Sequence, residues 1–555
     1  MPTPRIVIAG VTAALLATPS FGAPSRLDPP ESLYVRARAA SVAGDATTAN
    51  AYFGLLIARE PVDTVIVQRA FRQGLLGGDP ALAGRAARLL DRRGALPPDG
   101  RLLLFTDALR AKDWAAARAQ VDLIEKDRLF AFLVPMLRAW VMVGAHDGDP
   151  LATLDQARTI ALAGNYIEEQ RALLLIALGR TEEGVAALRR PGPASLDRLS
   201  SRVRLALADA LAASHQRDRA IGVLSGDDSA LVAGRARLAA NARLPEGVRS
   251  PADGVAALFI NVAIDLGRQR LAPVALTFAR LATFAAPANG ATWVLAADVL
   301  ATGHQRDLAL AAVDNVQPDD PLVTSARSMR IDLLAQRGDK QAALADAIKT
   351  AESGSAGFIG WARLGDVYFQ LDRPRDAADA YGKAVDLAVA GKAPSEQQWP
   401  ILLQRAEALD RSGDWNSARD VLRQALALAP DQPLVLNQLG YSEIAHREDM
   451  PQASDMIARA SALRPDDPAI TDSLGWSYYL QGRVADAVAL LEKAVVANPV
   501  EPTINEHLGD AYWSSGRLYE ARYSWRAALV TAEDKDKPRL TAKIDGGLTP
   551  ATASP

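Results

Sequence analysis

The chain has 555 residues, 49% of them apolar, with 62 basic against 65 acidic side chains and no cysteine. That balance excludes a disordered chain, which needs low hydrophobicity and a large net charge, and it offers no basic footprint for a phosphate backbone. The missing cysteine excludes disulfides, thiol nucleophiles, thiolate zinc sites, iron–sulfur clusters and an acylated N-terminal cysteine.

Residues 1–22 come first. Arg5 is followed by an apolar stretch from Ile6 to Ala17, a break at Pro19, and the small residues Ser20 and Gly22 at the −3 and −1 positions before Ala23. This is the layout of a secretory signal peptide cleaved before Ala23, and it is shorter than the roughly 20 apolar residues of a membrane span. It predicts an exported protein, and the bacterial periplasm is the expected compartment.

A period near 34 organises the rest of the chain. In residues 23–224, Ala49, Ala83, Ala117, Ala152, Ala186 and Ala220 recur at 34 or 35. Residues 225–252, with Gly226-Asp227-Asp228 and Leu244-Pro245-Glu246-Gly247, interrupt the register and read as an interruption or hinge. From 253 to 532 the register resumes through Ala272, Ala309, Ala343, Ala377, Ala418, Ala453, Ala487 and Ala521, for about 14 repeats in all. Residues 533–555, charged and then Thr-, Ala- and Pro-rich, read as a disordered tail.

The spacing has a physical cause. Two antiparallel helices that cross closely need a small residue where their axes approach, and the alanines supply it on the second helix of each pair. Gly365, Gly440, Gly475 and Gly509 supply it on the first. Pro433, Pro468 and Pro502 suit a first helical turn, where the missing N–H has no partner to lose. The segment from Trp361, with Leu364, Gly365, Tyr368, Ala377, Tyr381 and Ala384, carries the signature of the tetratricopeptide repeat (TPR). The predicted fold is an all-α TPR solenoid of antiparallel helix pairs, divergent in its N-terminal half.

Little in the sequence suggests catalysis. The five histidines, His146, His215, His304, His446 and His507, fall in different repeats without metal-ligand spacing. Acidic pairs such as Asp466-Asp467 precede helix starts, where they act as caps. No phosphate loop or nucleophile elbow occurs, and the repeats leave no segment for a catalytic domain. The expectation is a non-enzyme that needs no metal and no cofactor.

What remains is surface. With the consensus glycine set at position 8 of each repeat, the groove-lining positions of the first helices become Asn437 and Tyr441, then Asp472, Trp476 and Tyr479, then Glu506, Asp510 and Trp513. Amides, carboxylates and rigid aromatics on one face suit capture of an extended peptide or a partner helix. The bland alternative packs Trp476 and Trp513 against the preceding repeat.

The stretches Leu436-Asn437-Gln438-Leu439-Gly440-Tyr441, Asp472-Ser473-Leu474-Gly475-Trp476 and Ile504-Asn505-Glu506-His507-Leu508-Gly509-Asp510 sharpen this picture. They resemble the tail of exported bacterial TPR proteins similar to the envelope lipoprotein adaptor of carboxyl-terminal processing proteases. Tyr34 to Leu90 resembles the same family more loosely. The resemblance implies a periplasmic scaffold whose partners are a processing protease and peptidoglycan hydrolases. The chain departs from the adaptor in lacking the cysteine that carries a lipid anchor. A second reading is a TPR component of an envelope secretion or polysaccharide-export machine.

Overall fold

The computed structural model describes residues 28–59, 62–160, 162–188, 201–226, 228–353 and 356–554. The expected signal peptide and its cleavage point lie outside the described residues. Among these residues there are thirty α-helices, α1 to α30 in chain order, and no strand. They form two compact units, up to Arg337 and from Gly338. The boundary is not at 225–252, which lies inside the first unit.

Consecutive helices pack as antiparallel pairs, and small residues sit where the sequence places them. Eleven of the fourteen alanines, among them Ala49, Ala83, Ala309, Ala453, Ala487 and Ala521, are fully buried. Ala152, Ala186 and Ala272 are not. In α10 (Thr181–Leu188) the buried small residue is Gly184, and in α15 (Ala272–Ala285) it is Ala275. The crossing survives by shifting the small residue within the helix. On first helices a Cβ at Gly440 would lie 2.7 Å from the Ala453 carbonyl, and one at Gly509 2.3 Å from the Trp525 indole nitrogen. Both glycines are required by the close approach.

The two units share one way of closing their turns, and the second adds another. In the first, an aspartate caps the second helix of each early pair: Asp45, Asp79, Asp113 and Asp149 accept from Thr48, Leu82, Ala116 and Leu151 N–H. Each satisfies a donor that has no partner within its own helix. In the second, Asp414 and Asp449 cap α23 (Trp415–Leu428) and α25 (Met450–Leu463) in the same way, and in three other pairs a tyrosine near the end of a first helix lies under an arginine five residues on, which binds an acid three residues later. Tyr368, Arg373 and Asp376 form one such clasp, Tyr478, Arg483 and Asp486 another, and Tyr512, Arg517 and Glu520 a third. The guanidinium lies 3.8 to 4.6 Å from the ring centroid, a cation–π contact.

The first unit also folds back on itself. Helix α14 (Pro251–Arg268) is apolar nearly all round, the pattern of a helix buried on several sides. With α15 it packs against α3 (Thr64–Leu76), α5 (Pro98–Ala111), α7 (Val134–Ala145) and α9 (Gly164–Ala177). Phe278 meets Phe130 edge-on at 5.4 Å, and Gly254 lies directly under the Trp140 ring. The Tyr166 hydroxyl donates to Asp265 at 2.9 Å. Arg280, buried, donates from Nη2 to the Leu76 carbonyl at 2.8 Å, at the negative end of α3. Burial pushes its pKa down to about 10, so it stays charged at neutral pH.

The segment expected to hinge is tied down. Asp209 on α11 (Ser201–Ala213) accepts from both Arg243 nitrogens, from Arg249 and from Leu244 N–H. Burial would raise its pKa, but these hydrogen bonds and charges hold it below the usual carboxylate value. Arg237, on α13 (Ser229–Ala239), pairs with Asp319.

The expected tail is likewise structured. Residues Lys537–Gly546 form α30, and Lys543 within it is fully buried. The sequence concealed this because a lysine-bearing segment followed by Thr, Ala and Pro reads as solvated. Its carboxylate partners, Glu506 and Asp510, lie 37 and 33 residues away.

Candidate functional site

The predicted groove residues stand on α24 (Pro433–Ala445), α26 (Pro468–Leu480) and α28 (Pro502–Ser514). Each begins with proline in its first turn, and Asp467 caps α26 through the N–H groups of Ala469 and Ile470. These first helices also pack on one another, α24 on α26 and α26 on α28. That packing decides which side chains remain available.

Four of the eight are buried. Trp476 is 2% exposed, stacked on the His507 ring at 4.0 Å and on Tyr479 at 4.8 Å. Asp472 faces His507, whose Nδ1 is 3.0 Å from both carboxylate oxygens. Glu506 and Asp510 receive Lys543 Nζ at 2.7 and 2.8 Å, and Arg539 Nη1 lies 2.8 Å from Glu506. Asp510 also accepts from Trp525 Nε1 at 2.9 Å and from the Ser554 hydroxyl at 2.8 Å. For Asp472, Trp476, Glu506 and Asp510 the groove expectation is therefore corrected. They form a ladder between successive first helices, because buried carboxylates require partners and the next helix supplies them.

The other four stay partly exposed: Asn437, Tyr441, Tyr479 and Trp513. The Tyr479 hydroxyl reaches Ser514 at 3.0 Å. The Tyr441 phenol is pushed up to about 12, by burial first and then by the charges of Asp472 and Glu506. Trp513 lies against Gly547, where a Cβ would come within 2.2 Å of the indole. The chain's own C-terminal turn thus covers part of that ring.

Sequence reasoning missed His507, Arg539 and Lys543. A signal existed for His507, which stands 35 residues after Asp472, one repeat along. Lys543 stands 37 and 33 residues after Glu506 and Asp510, a register visible only if α30 counts as a further first helix.

Among the described residues no group of three or more His, Asp and Glu side chains could hold a metal ion. Among them, too, no helix is long and apolar enough to cross a membrane.

Residues 473–538 and 399–442 match models of the tetratricopeptide repeat. No curated protein matches the chain. Among solved structures it is similar to a thermophilic TPR protein of Thermus thermophilus, at 23% identity over 33% of this chain and 97% of that one, with a TM-score of 0.29. It is similar to a TPR protein from Parabacteroides merdae at 13% identity, over 45% of this chain and 96% of that one, with a TM-score of 0.37. The Cut9–Hcn1 hetero-tetramer of the APC/C is similar at 14% identity over 94% and 97%, also with a TM-score of 0.37. Both family matches fall in the second unit, on paired helices that keep the 34-residue period, and by them the chain carries a tetratricopeptide-repeat array.

Proposed function

We propose that this protein is a non-catalytic, protein-binding scaffold of the bacterial periplasm, and that a processing protease and peptidoglycan hydrolases are among its partners. The observation that carries the binding role is the TPR array of the second unit, with Asn437, Tyr441, Tyr479 and Trp513 partly exposed on successive first helices. Rigid aromatics beside an amide give contact area at small entropic cost. Export rests on the character of residues 1–22, and the partner classes on the resemblance of residues 436–510 to the protease adaptor.

The test is photo-crosslinking in intact cells, with a photoreactive residue at Tyr479 or Tyr441, together with mass analysis of the mature chain. Adducts with an envelope protease or cell-wall hydrolase, on a chain beginning at Ala23, are the expected outcome. A chain retaining Met1 in the cytoplasm, or adducts with no envelope protein, would overturn the reading.

A further inference from the structure

A second surface lies in the first unit, in an open cavity of about 550 Å3. It is bounded by α1 (Pro30–Val42), by α3 and by Pro97, just before α5. Its floor is apolar: Phe53 and Phe71 are buried beneath it, and Val65 beside it is 53% exposed. Its rim is cationic, with Arg38, Arg69 and Arg72, and among the described residues no acidic side chain lines it. Arg72 is held by Asp99 at 2.7 Å, and Arg69 lies over the Tyr34 ring at 5.4 Å. Among the described residues neither Arg38 nor Arg69 meets a carboxylate.

Two exposed guanidinium groups, with no carboxylate against them among the described residues, stand around an apolar lining and define what fits: an anionic group on an apolar body. Arginine suits this role because its planar fork takes a carboxylate bidentately and stays charged at any physiological pH. The chain's own N-terminal segment does not complement it, since residues 1–27 contain Arg5 and Arg26 and no acid. Nor does the α14–α15 pair fill it. That pair reaches Leu76, whose carbonyl Arg280 holds at one wall, and the cavity remains open beyond.

The geometry points to this cavity as the docking site for an acidic, partly apolar peptide segment of a partner protein, with its carboxylates on Arg38 and Arg69 and an apolar side chain against the exposed Val65. The inference rests on the scaffold reading and deepens it by giving the first unit a ligand chemistry of its own.

The experiment uses the full chain and a fluorescein-labelled acetyl-Leu-Glu-Phe-Glu-Leu-Glu peptide, followed by anisotropy, with the all-glutamine counterpart as control. The glutamate peptide should bind about tenfold more tightly than the glutamine one, and its affinity should fall as salt rises. The Arg38→Ala/Arg69→Ala double variant should lose that preference while melting as the parent does, because both side chains are exposed. Equal affinity for the two peptides, or an unchanged preference in the double variant, overturns the proposal. If the peptide fails to bind while crosslinks from Tyr479 persist, this site falls and the scaffold stands. If the peptide binds as expected while those crosslinks are absent, the reverse holds.

Discussion

The two units solve one problem in opposite ways. Each stacks helix pairs whose first helices would present a face to solvent. The first unit covers that face with its own α14–α15, an apolar insertion that buries Phe259, Phe278 and Trp140. The second unit covers it, over its last three first helices, with chemistry, linking α26 to α28 through Asp472 with His507 and α28 to α30 through Glu506 and Asp510 with Lys543. Burial of apolar area is non-directional and tolerates divergent sequence. A ladder of buried charges needs specific partners at specific offsets.

Breaking the ladder should give the largest effect. Lys543→Ala leaves buried Asp510 without its cation and Glu506 with Arg539 alone, and loss of one partner of a buried pair costs roughly 3–5 kcal/mol. We expect the second unit to melt earlier, and amide exchange in α28 and α30 to rise. The first unit should be untouched. A loss below about 1 kcal/mol, within the range of a surface ion pair, would show that the acids find water or another donor.

The covered face of the first unit is tested at Gly254, where a Cβ would lie 2.1 Å from the Trp140 ring. Gly254→Val should cost about 1–3 kcal/mol by overpacking and should accelerate exchange in α5, α7 and α9, which the insertion touches. Gly509→Ala, with its Cβ 2.3 Å from Trp525, makes a similar clash within an ordinary pair, and its effect should stay within the second unit.

These two sites also show what the sequence could and could not tell. The pairing of helices was legible because a crossing needs a small residue, and small residues recur in the chain at the period of the pair. The function of α14 was not, since the run from Val255 to Ile264 looks like any apolar helix until its partners are known. The groove was legible as a register and wrong as a surface. Trp476 does occupy a first-helix position one turn from Asp472, but the neighbouring first helix reaches it before any partner can. The contacts that decide this lie 31 to 37 residues apart, and no local pattern reports them. Asp209 makes the same point for the expected hinge: glycine and proline mark where the chain turns, and the arginines that fasten the turn carry no local signature.

A pH-dependent difference between the units arises from Glu246, buried in the first unit with neither carboxylate oxygen hydrogen-bonded among the described residues. Burial, and then the charge of Asp320, raise its pKa from 4.5 to about 8, against the pull of Arg237. Between those values the folded chain holds a proton that the unfolded chain has released. Stability of the first unit should therefore fall as pH rises from about 4.5 through about 8 and level off above. Melting curves across that range should show it, and Glu246→Gln should flatten the dependence. A profile that stays steep in the variant would move the cause to another group, Asp320 first.

The smallest expected effect belongs to the clasps. Arg483 lies over Tyr478 and binds Asp486, yet its side chain is nearly half exposed, so water replaces most of what its removal would take away. Arg483→Ala should shift the melting of the second unit by no more than a degree or two, because the Ala487 crossing, fully buried, holds the pair together without it. Ala487→Trp in the same helix should be far more damaging, since the crossing has no room for a ring. If the two substitutions cost the same, the turn rather than the crossing would set the spacing of the array. The clasp would then be what distinguishes the regular second unit from the divergent first.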